Sequence, residues 1–378
     1  MNFDLSDDQK LLVDTVTSFV RKDSPIARFR KLREEEGGLG WSKDVLRKMG
    51  ELGWLALPFP EASGGLSGSC IDVALVLEQL GTTLVPEPYL SSVILGGLTV
   101  QRAGSDEQRA RFLPSLIEGT STLALAHLDG DARYDLSSVI TRAERSAEGF
   151  TISGKKRFVL DGNAADAFVV SAMEGGAVAI FVVDRDTPGV KVLPITLMDG
   201  HRAAVVTFDG VKVPEDRKLA APNALPVLES VIDYAAACAC AEGLGVMTSV
   251  LTMTRDYLCQ REQFGVKIGT FQALQHRCVD MFVETELARS TMVLGALGAD
   301  DENEERRRRS VSAAKVQLSV GGRLVTQQAI QLHGGVGITD EHDVGLYFKR
   351  MHALNALFGD EEHHLSRFGA LPGFEARA

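Results

Sequence analysis

The chain has 378 residues, enough for two or three domains, and its 45% hydrophobic and 24% charged residues are those of a folded globular protein rather than a disordered or fibrous one. A formal charge of −11 sets up a field that repels nucleic acid and anionic membranes, so neither is an expected partner. Residues 1–8 hold no basic stretch leading into an apolar one, and no run nears the roughly 18 uninterrupted apolar residues of a membrane span, so a cytoplasmic protein is expected.

Residues 1–117 read as helical. Ser6 and Gln9 have capping-box spacing, and Leu12, Val16 and Phe19 follow at helical intervals. Further helices are expected at about 42–53, 70–81 and 106–117, the first two separated by Pro58-Phe59-Pro60 and the glycine-rich turn Ser63 to Gly68. From near residue 120 the texture changes. Short apolar or alternating runs at 122–126, 150–160, 167–173, 177–183 and 203–213 are punctuated by Asp161-Gly162, Gly175-Gly176, Pro188-Gly189 and Asp209-Gly210, as antiparallel strands joined by turns would be.

After Pro222 the chain returns to helix, at about 225–261, 271–299 and 306–333, with Ala314, Leu318, Val325, Ala329 and Leu332 on one face of the last. Between the last two, Asp300 to Glu305 followed by Arg306 to Arg309 reads as a solvated turn rather than a basic patch. The five cysteines, Cys70, Cys238, Cys240, Cys259 and Cys278, make no CxxC pair or metal spacing and are read as buried thiols. No metal site is expected: His363-His364 point in different directions on a helix and lack a third ligand, so a structural role, or one at the edge of a bound ligand, fits them better.

The run Arg261-Glu262-Gln263-Phe264-Gly265-Val266-Lys267-Ile268-Gly269, continued by Phe271 to His276, resembles the most recognisable segment of the acyl-CoA dehydrogenase family, and Gln331-Leu332-His333-Gly334-Gly335-Val336-Gly337-Ile338-Thr339 resembles its second signature. The resemblance covers the whole chain, including the Gly154-Lys155-Lys156 strand. It implies an α+β fold: an N-terminal helical domain (1–117), a central antiparallel β-barrel-like domain (118–222) and a C-terminal four-helix bundle (223–378). It also implies FAD as cofactor, with Arg261, Gln263, Phe264, Gln272, Gln331, Gly334 and Gly335 contacting the FAD of a neighbouring subunit. The chemistry agrees, since a guanidinium can clamp a pyrophosphate and glycines let backbone approach a flat ring. Taken singly, Gly334-Gly335 can also be a helix terminator and Arg261-Glu262 a surface pair.

The family reaction removes a proton next to a thioester carbonyl and transfers a hydride from the following carbon to the flavin, which requires a carboxylate base. The resemblance puts Leu357-Phe358-Gly359-Asp360 where most members carry that base, with Gly359 at the glutamate position; the family's other location falls at Ala235. Asp360, one residue away, is the candidate base here, with a helix-capping role as its alternative. The flavin-facing turn corresponds to Leu128-Asp129-Gly130-Asp131 and the flavin-facing strand to Phe158-Val159-Leu160-Asp161-Gly162. Leu128, Phe158 and Leu160 can pack on the ring but carry no donor for reduced flavin.

Elements given to a neighbour's FAD are thus kept, while the chain's own flavin face and base are changed. The segment Gly334 to Asp360 also resembles the small subunits of pimeloyl-CoA-type and steroid-side-chain dehydrogenases, which pair a degenerate chain with a competent one. The resemblance implies FAD-dependent dehydrogenation of an acyl-CoA, with this chain as one subunit of a hetero-oligomer and an electron-transfer flavoprotein taking the electrons. Two alternatives stand beside it: a non-catalytic partner that completes another chain's FAD site, and a self-sufficient dehydrogenase or oxidase using Asp360, as a homo-oligomer.

Overall fold

The computed structural model describes residues 4–35, 37–130 and 132–373; Asp131 of the 128–131 turn lies outside them. Helix α1 (Asp7–Lys22) begins where Ser6 accepts the Gln9 N–H and Gln9 reaches back to the Ser6 N–H. Asp7 and Asp8 in its first turn and Arg21 and Lys22 in its last oppose the helix dipole. There follow α2 (Ile26–Glu34), α3 (Lys43–Glu51), α4 (Cys70–Gly81), a wide helical segment Tyr89–Gly97 running into α5 (Leu98–Ala103), and α6 (Asp106–Ile117). Helices α3, α4 and α6 lie where the start, stop and turn signals placed them. The Tyr89–Gly97 segment is buried on every side, so no polar face marks its period, and the sequence reading does not foresee it.

The sheet comprises β1 (Leu123–Ala126), β2 (Arg142–Ser146), β3 (Gly149–Leu160), β4 (Ala167–Glu174), β5 (Ala177–Asp184), β6 (Val190–Thr196) and β7 (Arg202–Val213). Its order is β1-β4-β2-β3-β7-β6, with β5 also on β4. The expected antiparallel pairing holds for β2 with β3, β3 with β7, β4 with β5 and β6 with β7, whereas β1 and β2 both pair with β4 in parallel. A parallel neighbour needs a long crossover, and residues 127–166 supply it between β1 and β4. Strands β2 and β6 escape the sequence reading because β2 is mostly charged and β6 carries Pro194 at the end of the strand order. Inward-facing residues fill the core, where Phe150 meets Phe181 edge-on at 5.0 Å and Phe168 meets Phe208 at 6.3 Å.

The C-terminal helices are α7 (Leu225–Gln260), α8 (Gln272–Ala299), α9 (Glu304–His333), α10 (Val344–Ala356) and α11 (Glu361–Gly369); a hairpin of β8 (Glu262–Gln263) and β9 (Val266–Lys267) joins α7 to α8. Ala314, Leu318, Val325, Ala329 and Leu332 are buried on α9 as expected. Helix α7 is long and apolar enough to cross a membrane by composition, yet 72% of its most apolar window is buried within the protein. At the 300–309 turn Asn303 caps α9, and Arg306, Arg308 and Arg309 pair with Asp301, Glu304 and Glu305, so that stretch is the neutralised turn its charges indicate. The cysteine reading holds for Cys70, Cys238 and Cys240; Cys259 is exposed and Cys278 half-buried, because both lie where α7 and α8 reach the surface.

By compactness, the described residues of Met1–Lys31, Cys70–Val85 and Ala236–Ala378 form one unit, and Leu32–Ser69 with Pro86–Ala235 form a second that contains the sheet.

Candidate functional site

In the helical unit, the first signature folds as a tight hairpin. Glu262 pairs with Lys267 and Gln263 with Val266, so Phe264 and Gly265 make the two-residue turn, both at positive φ (55° and 78°), as such turns require. The Phe264 side chain is 90% exposed and meets Phe271 edge-on at 6.2 Å. The second signature begins where α9 ends. Gly334, at φ 60° and ψ −140°, stops the helix, which agrees with the plainer reading of the glycine pair. A Cβ at Gly334 or Gly335 would nevertheless meet no atom within 4 Å, so both glycines border open space.

That space is a cleft of about 690 Å³ whose wall includes Arg261, Gln263, Arg277, Gln331, Gly334 and Gly335, and no carboxylate. Two guanidiniums, two carboxamides and a glycine-lined edge suit a diphosphate. The fold therefore gathers five of the expected residues in one wall; Phe264 and Gln272 stand outside it. Tyr257, Arg277 and His333 line the cleft unforeseen, although His333 sits inside the quoted signature. His333 is 2% exposed. Its Nδ1 lies 2.8 Å from the Ala329 carbonyl oxygen, its Nε2 has no hydrogen-bond partner, and burial lowers its pKa below the ordinary imidazole value. The ring stands 4.5 Å from both Tyr257 and His342.

The same unit holds the turn between α10 and α11, where the base is expected. The Lys315 Nζ, wholly buried, donates to the carbonyls of Leu354 and Leu357, both at 2.8 Å; burial pushes its pKa down to about 8, against the pull of Cys240 and Asp360. His364 reaches the Phe358 carbonyl with Nε2 at 3.0 Å and Ser312 Oγ with Nδ1 at 3.2 Å, and burial lowers its pKa to about 3. The turn is thus clamped from α9 and α11. Gly359 lies at φ 114°, and a Cβ there would come within 2.5 Å of His364 Nε2 and 2.6 Å of His363 Cδ2.

Asp360 is the N-cap of α11, accepting the His363 N–H at 2.9 Å. It also lines a smaller cleft of about 280 Å³ beside Ser319, Arg323, Asn355 and Glu361. At the other candidate location Ala235 is fully buried, and the carboxylate of Asp233, two residues earlier, lies on a different helical face. Among the described residues no group of His, Cys, Asp and Glu is arranged to hold a metal.

In the sheet unit, the Arg157 N–H donates to the Leu128 carbonyl at 2.8 Å, which brings the 128 turn beside the 158 strand. The β3–β7 register shifts between Lys156 and Val159, and Phe158 sits within this irregularity at φ 55°, 37% exposed. Leu128 and Leu160 are half-buried, so this part of the sheet carries three apolar side chains that are not fully covered. Beneath it, Asp129 accepts from Lys156 Nζ at 2.8 Å, from Thr141 Oγ1 at 2.6 Å and from the N–H groups of Ile140 and Thr141. Lys156 also donates to Ser171 Oγ at 3.0 Å. Burial works to raise the Asp129 pKa, but Lys156 and the hydrogen bonds leave it below the ordinary carboxylate value; Lys156 itself is pushed down by burial to about 8, with Asp129 opposing.

Three family models match: acyl-CoA dehydrogenase N-terminal domain over residues 6–120, middle domain over 124–211 and C-terminal domain over 225–370. The chain is 30% identical over 367 residues to the acyl-CoA dehydrogenase IpdE2 of Mycolicibacterium smegmatis, covering 97% of this chain and 99% of that one. Among solved structures it is similar to a chain of the ChsE4-ChsE5 complex from Mycobacterium tuberculosis, with a TM-score of 0.87, 26% identity and 98% of each chain covered. It is also similar to butyryl-CoA dehydrogenase from Megasphaera elsdenii, with a TM-score of 0.89, 25% identity, and coverage of 98% and 99%.

Proposed function

Because this chain belongs to the acyl-CoA dehydrogenase family, FAD-dependent oxidoreductases acting on the CH–CH bond of acyl-CoA thioesters, we propose that it works as one subunit of a mixed dehydrogenase whose base comes from another chain. The observation that carries this reading is the pairing of a kept glycine cleft with a base position, Gly359, whose side-chain space is filled by two histidine rings. As a working division, residues 1–117, 118–222 and 223–378 serve as helical, flavin-facing and assembly segments.

When bound, FAD supplies the acceptor for the hydride leaving the carbon once removed from the thioester carbonyl. Arg261, Gln263, Gln331, Gly334 and Gly335 would hold its diphosphate, while Phe264 and Gln272, outside the cleft wall, would take no part in that hold. Leu128, Phe158 and Leu160 would exclude water from a ring, without donating a hydrogen bond to it. In this assignment Asp360 caps α11 and takes no proton from substrate.

Assembly is supported by α8. Val279, Phe282, Val283, Leu287, Leu294 and Leu297 are exposed at helical spacing, while Met281, Ala288, Met292 and Ala296 face inward, so the helix is apolar on two sides. We place the enzyme in the cytoplasm, with an electron-transfer flavoprotein as electron acceptor. We assign it to lipid or steroid catabolism, in line with its similarity, at 27% identity, to a solved steroid acyl-CoA dehydrogenase.

Asp360→Asn in the mixed assembly tests the assignment, since asparagine caps a helix as well as aspartate does. Turnover within about twofold of wild type is expected; a fall of about 10²-fold or more, the size of a lost general base, favours the self-sufficient reading.

A further inference from the structure

We infer that Arg30 is a positioning residue for the glycine cleft, fixing from α2 the strap of residues 334–343 that carries Gly334 and Gly335; this rests on the cleft being an FAD-binding element. The Arg30 Nη1 donates to the Asp340 carbonyl at 2.5 Å, while Nη2 donates to the Glu341 carbonyl at 3.3 Å and to Asp343 Oδ1 at 2.7 Å. Asp343 directly precedes α10, where an aspartate ordinarily caps the helix, yet it makes no such bond. Its carboxylate is turned to Arg30 instead. Both side chains are largely withdrawn from solvent, at 24% and 32% accessibility, so the pair is better fixed than a surface ion pair.

The strap needs an external hold. Its two leading glycines border open space and have little conformational preference of their own. The planar guanidinium gathers two successive carbonyls and a carboxylate at once, which a lysine's single ammonium cannot match in geometry. The hold reaches the cleft through packed rings. His342 accepts the Val344 N–H at 3.2 Å with Nδ1 and lies against His333, which lies against Tyr257 in the cleft wall. Arg30 itself is absent from that wall, so it acts through the strap.

The test uses the FAD-loaded assembly, wild type and carrying Arg30→Met, Arg30→Lys or Asp343→Asn. It reads FAD affinity by fluorescence titration and backbone amide exchange along the chain. Arg30→Met and Asp343→Asn are expected to weaken FAD binding about tenfold and to speed exchange within 334–343 while leaving other segments unchanged, with Arg30→Lys between them and wild type. Unchanged exchange at 334–343, or faster exchange everywhere, overturns the positioning role. Faster local exchange with unchanged FAD affinity overturns its link to the cofactor. A wild-type assembly that binds no FAD overturns the cofactor reading of the cleft itself.

Discussion

Gly359→Glu, the substitution that writes the family's usual base back into the chain, is expected to lower stability by about 2–6 kcal/mol and to yield no dehydrogenase. The residue sits at φ 114°, where an L side chain costs about 1–3 kcal/mol. Its Cβ would also stand 2.5 Å from a His364 ring that is 1% exposed and held at both nitrogens, so overpacking adds about 1–3 kcal/mol. Gly359→Ala should show most of the same loss, because the Cβ alone makes the clash. Urea unfolding of both variants measures the cost, and mixing with acyl-CoA under anaerobic conditions measures activity. A Gly359→Glu protein as stable as wild type that reduces its flavin would show that the turn is an ordinary base position lacking only its carboxylate.

Asp129→Ala is expected to cost about 3–5 kcal/mol, because it leaves the Lys156 ammonium, fully buried, with a serine hydroxyl as its remaining hydrogen-bond partner. Asp129→Leu combined with Lys156→Met removes both charges and should recover much of that loss. The pair also fixes the pH response. The folded pKa of Asp129 lies below its unfolded value, so its stabilisation is present above the unfolded carboxylate range and is lost as pH falls through the lowered folded value. Lys156 titrates near 8 when folded and near 10.5 when unfolded, so its burial cost is full below about 8 and fades as pH rises across that window. Urea midpoints between pH 3 and 7 should therefore drop at the acid end for wild type and drop less for the double variant. Equal acid slopes would remove the pair from the account.

Much of the fold is legible in the sequence because its signals are local. Ser6 with Gln9 announces α1, and the helices expected at 70–81 and 106–117 from start, stop and turn signals are observed over those limits as α4 and α6. What escapes are elements whose identity depends on partners far along the chain: β2, held by backbone pairing despite its charges, and Tyr89–Gly97, apolar on all sides. The site divides the same way. Arg261, Gln331 and Gly334 stand in contiguous runs and can be found by reading. Arg277 joins their cleft only because α8 and α9 pack together, and Arg30 meets the strap from some 310 residues away. The loss of a carboxylate at 359 is visible in one letter. The histidine rings that close its space are not, because the backbone must turn before His363 and His364 can face Gly359.

The proposed assignment gives this chain the cofactor-holding parts of an acyl-CoA dehydrogenase without its base. Its most direct test is acyl-CoA-dependent bleaching of bound FAD under anaerobic conditions, for the chain purified alone and for the chain co-expressed with a neighbouring dehydrogenase chain that carries its own carboxylate. Bleaching in the mixed assembly alone, with FAD retained there, is the result expected. Full FAD and complete bleaching in the isolated chain would contradict the claim and return Asp360 to the role of base.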